Sequence, residues 1–362
     1  MTDPILTRAD GALRLAWPDA PVDYPFIWLR DNGPDAFHPA TRERVQDLLT
    51  VPDRPDLRAA RIDGGRLVLD WADAAETAFD LDWLARHRPG RGAADPADIP
   101  FSPWTDGFAP SRHAAGAILA SDDGLRAWLR DTKADGLTVV TGLAGVGAGV
   151  ALAERIGFLR RTNFGTTFEV VSKPDPNNSA YTADALPLHT DLPNQEVPPG
   201  YQFLHCIENG AEGGGSLFAD GVALAEVLRA EDPDAFALLS AVAIPFRFHD
   251  AAVDIRTRRP VITLDHDDRV VELRWNAHIA DVFDMPADTL PAYYRAYRAY
   301  MALTRDPRFV LETRLAPGEM VVFDNRRILH GRGAFDPATG RRHLQGCYVD
   351  RGEFDSRLRK LG

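Results

Sequence analysis

The chain has little cysteine: two residues, Cys206 and Cys347, in 362. Two thiols cannot make a disulfide framework, and both lie in segments that read as strands, where buried free thiols are ordinary. Long apolar runs are also missing. No stretch of 18 or more apolar residues occurs, so no transmembrane helix is expected. The opening Met-Thr-Asp-Pro-Ile-Leu lacks a basic stretch followed by an apolar one, so no signal peptide is expected and the cytoplasm is the default compartment. Positive charge is scarce as well. The net charge of -12 excludes a nucleic-acid surface, because phosphate binding needs clustered Lys and Arg, and Arg256-Thr-Arg-Arg259 and Arg341-Arg342 are too short to line a groove. No repeat of 20–50 residues is present. What remains is an ordinary globular composition, 45% hydrophobic and 26% charged, long enough for one large domain and a smaller one.

The first 90 residues read as a small β-rich domain. Strands are expected at Ala12 to Trp17, Tyr24 to Leu29, Leu57 to Ile62 and Arg66 to Asp70, with Asp-Gly-Gly (63–65) as a hairpin turn. A short helix follows at Asp80 to Arg86. Residues 91–115 are rich in Gly, Pro, Ala and Asp and suit a linker. From 116 to 362 short strands dominate. Helices are expected around 122–132, 146–156, 222–231 and 286–304. The last carries Leu290, Tyr293, Tyr294, Tyr297 and Met301 at helical spacing, and would suit a homodimer interface or a sheet-facing side equally. Many short strands with few helices point to a mainly β fold with flanking helices, a double-sheet barrel or jelly roll.

The chemistry concentrates in Leu186-Pro-Leu-His-Thr-Asp-Leu192. His189 and Asp191 are two apart, so on an extended segment both side chains face the same way and can meet one ion. A second His-x-Asp, His266-Asp-Asp268, lies in a polar turn and reads as solvated. A third ligand comes from Phe323-Asp-Asn-Arg-Arg-Ile-Leu-His330-Gly-Arg332. Two His and one carboxylate on one face of an octahedral ion suit non-haem Fe(II), leaving positions for a bidentate co-substrate and O2. Downstream, Arg341-Arg342 open the segment Arg341-Arg-His-Leu-Gln-Gly-Cys-Tyr-Val-Asp350, and a hairpin through the loop at 337–340 is expected to bring one of these arginines beside His330. A guanidinium there can hold a carboxylate bidentately.

These segments resemble the γ-butyrobetaine hydroxylase and trimethyllysine hydroxylase branch of the taurine-dioxygenase-like superfamily of Fe(II)/2-oxoglutarate-dependent oxygenases. The shared pieces are Asn177-Asn178-Ser-Ala-Tyr181, His189-Thr-Asp191, Pro198-Pro-Gly-Tyr-Gln-Phe-Leu-His205-Cys, Gly213-Gly-Gly-Ser216-Leu-Phe-Ala-Asp220, the segment ending Leu329-His330-Gly-Arg332, Arg342-His-Leu-Gln-Gly-Cys-Tyr348, and Trp28-Leu-Arg-Asp-Asn32 near the start. The resemblance implies a distorted double-stranded β-helix behind a small β-rich domain. It implies Fe(II) held by His189, Asp191 and His330, with 2-oxoglutarate and O2 as co-substrates, and the far carboxylate of 2-oxoglutarate on Arg342 and Ser216. It implies an aromatic cage for a trimethylammonium group at Phe164, Phe168, Tyr181, Leu192 and Tyr348, although Leu192 stands where the family often has Tyr. Asn178 and Asn276 fall near positions that hold the acidic end of the substrate. The branch often carries a structural zinc on three Cys and a His of the first domain. Here the loop is Gly33-Pro-Asp35-Ala-Phe-His38, without thiols, and no zinc is expected. The expected activity is hydroxylation of a small trimethylammonium acid. A taurine-like small-acid hydroxylase is the alternative within enzymes, and a non-catalytic jelly-roll binding protein the alternative outside them.

Overall fold

The computed structural model describes residues 3–172 and 182–362. It divides into two compact units, 1–95 and 96–362.

The first unit holds two three-stranded antiparallel sheets, one of Ile5–Ala9, Ala12–Ala16 and Pro21–Pro25, the other of Leu57–Asp63, Arg66–Trp71 and Thr77–Asp80. Alternation buries Leu13 and Leu15 on one side of their strand, and with Tyr24, Leu67, Leu69 and Trp71 they form the core of this unit. Gly64 and Gly65 both take positive φ, as a two-residue hairpin requires. The strand expected at Tyr24 to Leu29 is different: the extended segment stops at Pro25, and Phe26–Asp31 is helical. Phe26 and Leu29 face the core, three apart on the helix.

The second unit is two facing sheets with helices outside each. The expected linker at 91–115 is in part built into it. Ser111–Ala114 pairs parallel with Leu137–Thr141, and Trp104 is buried. Glycine and proline density there reflects a path with few regular hydrogen bonds, not freedom from the core.

One sheet has four antiparallel strands, in order Leu186–His189, Ile328–Arg332, Ser216–Asp220 and Leu311–Thr313. The other has six, in order Ser111–Ala114, Leu137–Thr141, Met320–Asp324, Tyr201–Asn209, Arg342–Val349 and Thr167–Val170. Phe218 from the first meets Phe323 from the second with ring centroids 5.5 Å apart, so the faces interlock through large apolar side chains. Helices Gly221–Glu231, Pro233–Ala241 and Leu290–Leu303 join the cluster around the four-stranded sheet. The aromatic helix turns Tyr293, Ala296, Tyr297 and Tyr300 inward. Helices Asp122–Asp135, Ala148–Glu154 and Arg351–Leu361 cover the six-stranded sheet. The first of these starts on a Ser121 cap with two Asp in its first turn and ends on Gly136 in the left-handed region, the signals its sequence carries.

The hairpin expected between the His330 strand and Arg342–Val349 does not form. The two strands lie in different sheets. Between them Phe335–Asp336 pairs with Glu212–Gly213, and this short pairing carries the chain from one sheet to the other. Arg342 therefore approaches from the opposite sheet.

Candidate functional site

The strand of His189 pairs with that of His330, with Leu186 opposite Arg332 and His189 opposite His330. Between these pairs two residues, Pro187 and Leu188, stand against Gly331 alone. This one-residue bulge re-aims the end of the strand and sets the two imidazoles side by side, ring centroids 4.3 Å apart. Asp191 follows the strand end. Its Oδ1 lies 3.3 Å from His189 Nε2 and 3.6 Å from His330 Nε2. All three donor atoms fall within 4.8 Å of one another, the one such group of three or more His, Cys, Asp or Glu among the described residues.

The electrostatics of the cluster suit a cation. His189 Nδ1 donates to the Pro187 carbonyl at 2.9 Å, which fixes the ring with Nε2 turned toward Asp191. Burial, and then the neighbouring His189, pulls His330 down to about 3, so its ring is neutral. Burial pushes the Asp191 carboxyl up, but the two imidazoles and the Tyr348 hydroxyl outweigh it and hold the group well below the usual carboxylate range. Tyr348 donates to Asp191 Oδ2 at 2.7 Å. Two imidazole nitrogens and one carboxylate, converging within 4.8 Å of one another, form a donor set that fits Fe(II).

These groups line a cavity of about 280 Å3. Arg342 and Ser216 line it too, both at least nine-tenths buried. Ser216 pairs with Arg332 in register, and Phe218 with His330. Ser216 is thus two residues along from the metal-side pair, roughly 7 Å at strand rise, a span that suits a five-carbon diacid. Arg342 donates Nε–H to the Gly214 carbonyl at 3.3 Å, and among the described residues no carboxylate pairs with it. Burial, then Arg332, lowers it to about 10, so it stays charged at neutral pH. The glycine run reads equally as a plain turn and a site element, and it is both. Gly214 has φ +68, and a Cβ there would stand 3.2 Å from Arg342 Cδ.

Aromatic walls complete the cavity. Phe168 and Tyr348 lie 5.1 Å apart, and Phe164 meets Phe248 at 5.5 Å in an edge-on contact; all four line the cavity, with Leu192 and Asn276. Asn178 and Tyr181 lie outside the described residues. His266 is solvent-exposed at a turn. Two residues were not legible. Phe248 comes from the hairpin of Ile244–His249 and Asp254–Arg259, whose alternation is broken by charge. Gln202 lies inside an otherwise apolar strand, 2% exposed with Oε1 unpartnered among the described residues; a polar residue in a buried run was the available signal.

Facing sheets around a two-histidine, one-carboxylate set with a buried guanidinium define a 2-oxoglutarate-dependent non-haem iron oxygenase. The chain belongs to the family described as taurine catabolism dioxygenase TauD, TfdA family, which matches residues 100–348. It is 43% identical to a gamma-butyrobetaine dioxygenase of Pseudomonas sp. (strain AK-1), covering 99% of this chain and 96% of that one. It is 31% identical to the gamma-butyrobetaine dioxygenase of Homo sapiens, covering 97% and 95%. Among solved structures, asparagine oxygenase in complex with Fe(II), 3-hydroxyasparagine and succinate superposes with a TM-score of 0.50 at 21% identity, over 63% of this chain and 78% of that one.

Proposed function

We propose that the protein hydroxylates an unactivated C–H bond of γ-butyrobetaine or a close carboxylate or phosphonate analogue, with Fe(II), O2 and 2-oxoglutarate. In this reading the second unit is a distorted double-stranded β-helix. His189, Asp191 and His330 hold the ion, and Arg342 and Ser216 hold the far carboxylate of 2-oxoglutarate. The overall reaction balances as substrate, 2-oxoglutarate and O2 going to alcohol, succinate and CO2. When bound, the ion supplies the oxygen activation and the C–H oxidation.

The residues supply placement and charge. His189, Asp191 and His330 would hold the ion at the wall of the cavity that Arg342 and Ser216 also line. Arg342, charged and without a protein carboxylate among the described residues, fixes a diacid by its far end. Tyr348 touches Asp191 with its hydroxyl and offers its ring to the cavity. Phe164, Phe168 and Tyr348 attract a quaternary ammonium by their ring faces. Asn276, and Asn178 by resemblance, hold the acidic end.

The observation that carries this reading is that the His–Asp–His set and the Arg342–Ser216 pair line one cavity. Leu192, an aliphatic wall of that cavity, favours a second reading, a taurine-like small-acid hydroxylase. A panel of betaines, their unmethylated amines and small sulfonates, scored by succinate release and product mass, tests both. Turnover of γ-butyrobetaine with a mass gain of one oxygen is expected. Turnover of a sulfonate or amino acid with none of any betaine would overturn the first reading and support the second.

A further inference from the structure

We propose that Asn325 is a positioning residue that presets Asp191 for the metal, resting on the assignment of Asp191 as a ligand. Asp191 has passed the end of its strand and precedes Leu192, whose φ of +55 is strained for a side chain with a Cβ. Among the described residues its backbone has no ladder partner. Asn325 takes that place: its Oδ1 accepts the Asp191 N–H at 2.7 Å, and its Nδ2 donates to the Asp191 carbonyl at 3.0 Å. One carboxamide thus closes both polar groups of one residue, as a strand neighbour would. The same Nδ2 donates to the Pro199 carbonyl at 3.1 Å, and the Asn325 backbone N–H to Gly200 at 2.8 Å.

The segment between is also held by side chains. Arg274, paired with Glu272 at 2.7 Å, donates to the carbonyls of Pro193, Gln195 and Glu196 at 2.8–3.1 Å. Asn325 is fully buried and sits in the turn between Met320–Asp324 and the His330 strand. The residue that grips one ligand is therefore five positions from another, in the turn that leads into its strand. Only a carboxamide carries a donor and an acceptor at this reach. Aspartate lacks the donor and alanine lacks both.

The test is metal affinity in stripped full-length protein, read by anaerobic Fe(II) titration and by the visible absorption of Co(II). Asn325→Ala and Asn325→Asp are each expected to weaken metal binding about 10- to 100-fold and to alter the Co(II) spectrum, with the cooperative melt retained. A packing defect alone would lower Tm and leave affinity in the folded fraction unchanged. A folded Asn325→Ala with the affinity and spectrum of the parent overturns the proposal. Should both variants fail to fold, amide exchange of the metal-free parent decides: slow exchange at the Asp191 N–H supports presetting, and free exchange overturns it. A His189→Ala variant with undiminished affinity sinks the ligand assignment instead, a different failure from a silent Asn325.

Discussion

A Cβ added to Gly346 would stand 2.4 Å from the ring of Phe168. The two residues are register partners on neighbouring strands, with Phe168 on Thr167–Val170 and Gly346 on Arg342–Val349. The ring lies over the space that the missing side chain leaves, and from there it faces Tyr348. Gly346→Ala must push the ring toward the cavity, an overpacking that costs about 1–3 kcal/mol. On the proposed reading it raises KM for γ-butyrobetaine roughly tenfold while Fe(II) affinity stays within about twofold. Steady-state kinetics beside metal titration check this. Gly346→Ala with Phe168→Leu should recover part of the stability, because the smaller side chain makes room, while KM stays raised because the ring is gone.

Arg342 carries the second prediction. A buried charged hydrogen-bond donor facing a carboxylate is worth about 1.5–3 kcal/mol, so Arg342→Gln is expected to raise the 2-oxoglutarate Kd roughly 10- to 100-fold. Arg342→Lys keeps the charge but loses the fork and should fall between. Ser216→Ala, a neutral hydroxyl lost, should cost threefold or so, about 0.5–1 kcal/mol. The readout is anaerobic titration of the Fe(II) charge-transfer absorption. An Arg342→Gln protein with parental affinity would remove Arg342 from the site.

Much of the site was legible because it rests on spacing and on rare residues in apolar runs. His189 and Asp191 are two apart at the end of a strand, and His330 and Arg342 stand among strand residues, so their burial follows from the pattern around them. What spacing does not carry is which sheet a strand joins. The loop at 337–340 is short enough for a hairpin, yet Phe335–Asp336 pairs with Glu212–Gly213, a contact more than a hundred residues away in sequence. The bulge that faces His189 to His330 is likewise a property of pairing. Phe248 was missed because Arg247, Arg256, Arg258 and Arg259 mask the alternation of its hairpin; Arg247 bonds Asp254 across the strands, so the charges serve the pairing itself. Tyr24 to Leu29 reads as strand by composition, but the helix there is only six residues, decided by tertiary packing rather than propensity.

His205 gives a pH prediction. Its ring is 2% exposed, so little solvent reaches either nitrogen. Burial lowers its pKa below the ordinary 6.5, with the Leu143 backbone opposing. The unfolded chain therefore binds the proton more readily, and this contribution to stability is present above about pH 6.5 and lost as pH falls below it. Tm of the metal-free protein should drop between pH 7.5 and 5.5. His205→Gln, which cannot titrate, should show a smaller drop. An equal drop in both, followed by circular dichroism, would assign the acid sensitivity to other groups.

Tyr348 joins the two halves of the site, and its variants separate them. Its hydroxyl serves Asp191 and its ring serves the cavity. Removing the hydroxyl with Tyr348→Phe leaves the ring in place. It should weaken Fe(II) binding severalfold, since one hydrogen bond to a charged group is lost, and leave the KM for γ-butyrobetaine nearly unchanged at saturating metal. Tyr348→Leu removes both. It should add a further rise in KM for the trimethylammonium substrate, larger than for a neutral analogue with a tert-butyl group in its place, because attraction to the ring needs the positive charge. Equal effects on the two substrates would mean that the ring only fills space, and the cage would then lose its strongest member.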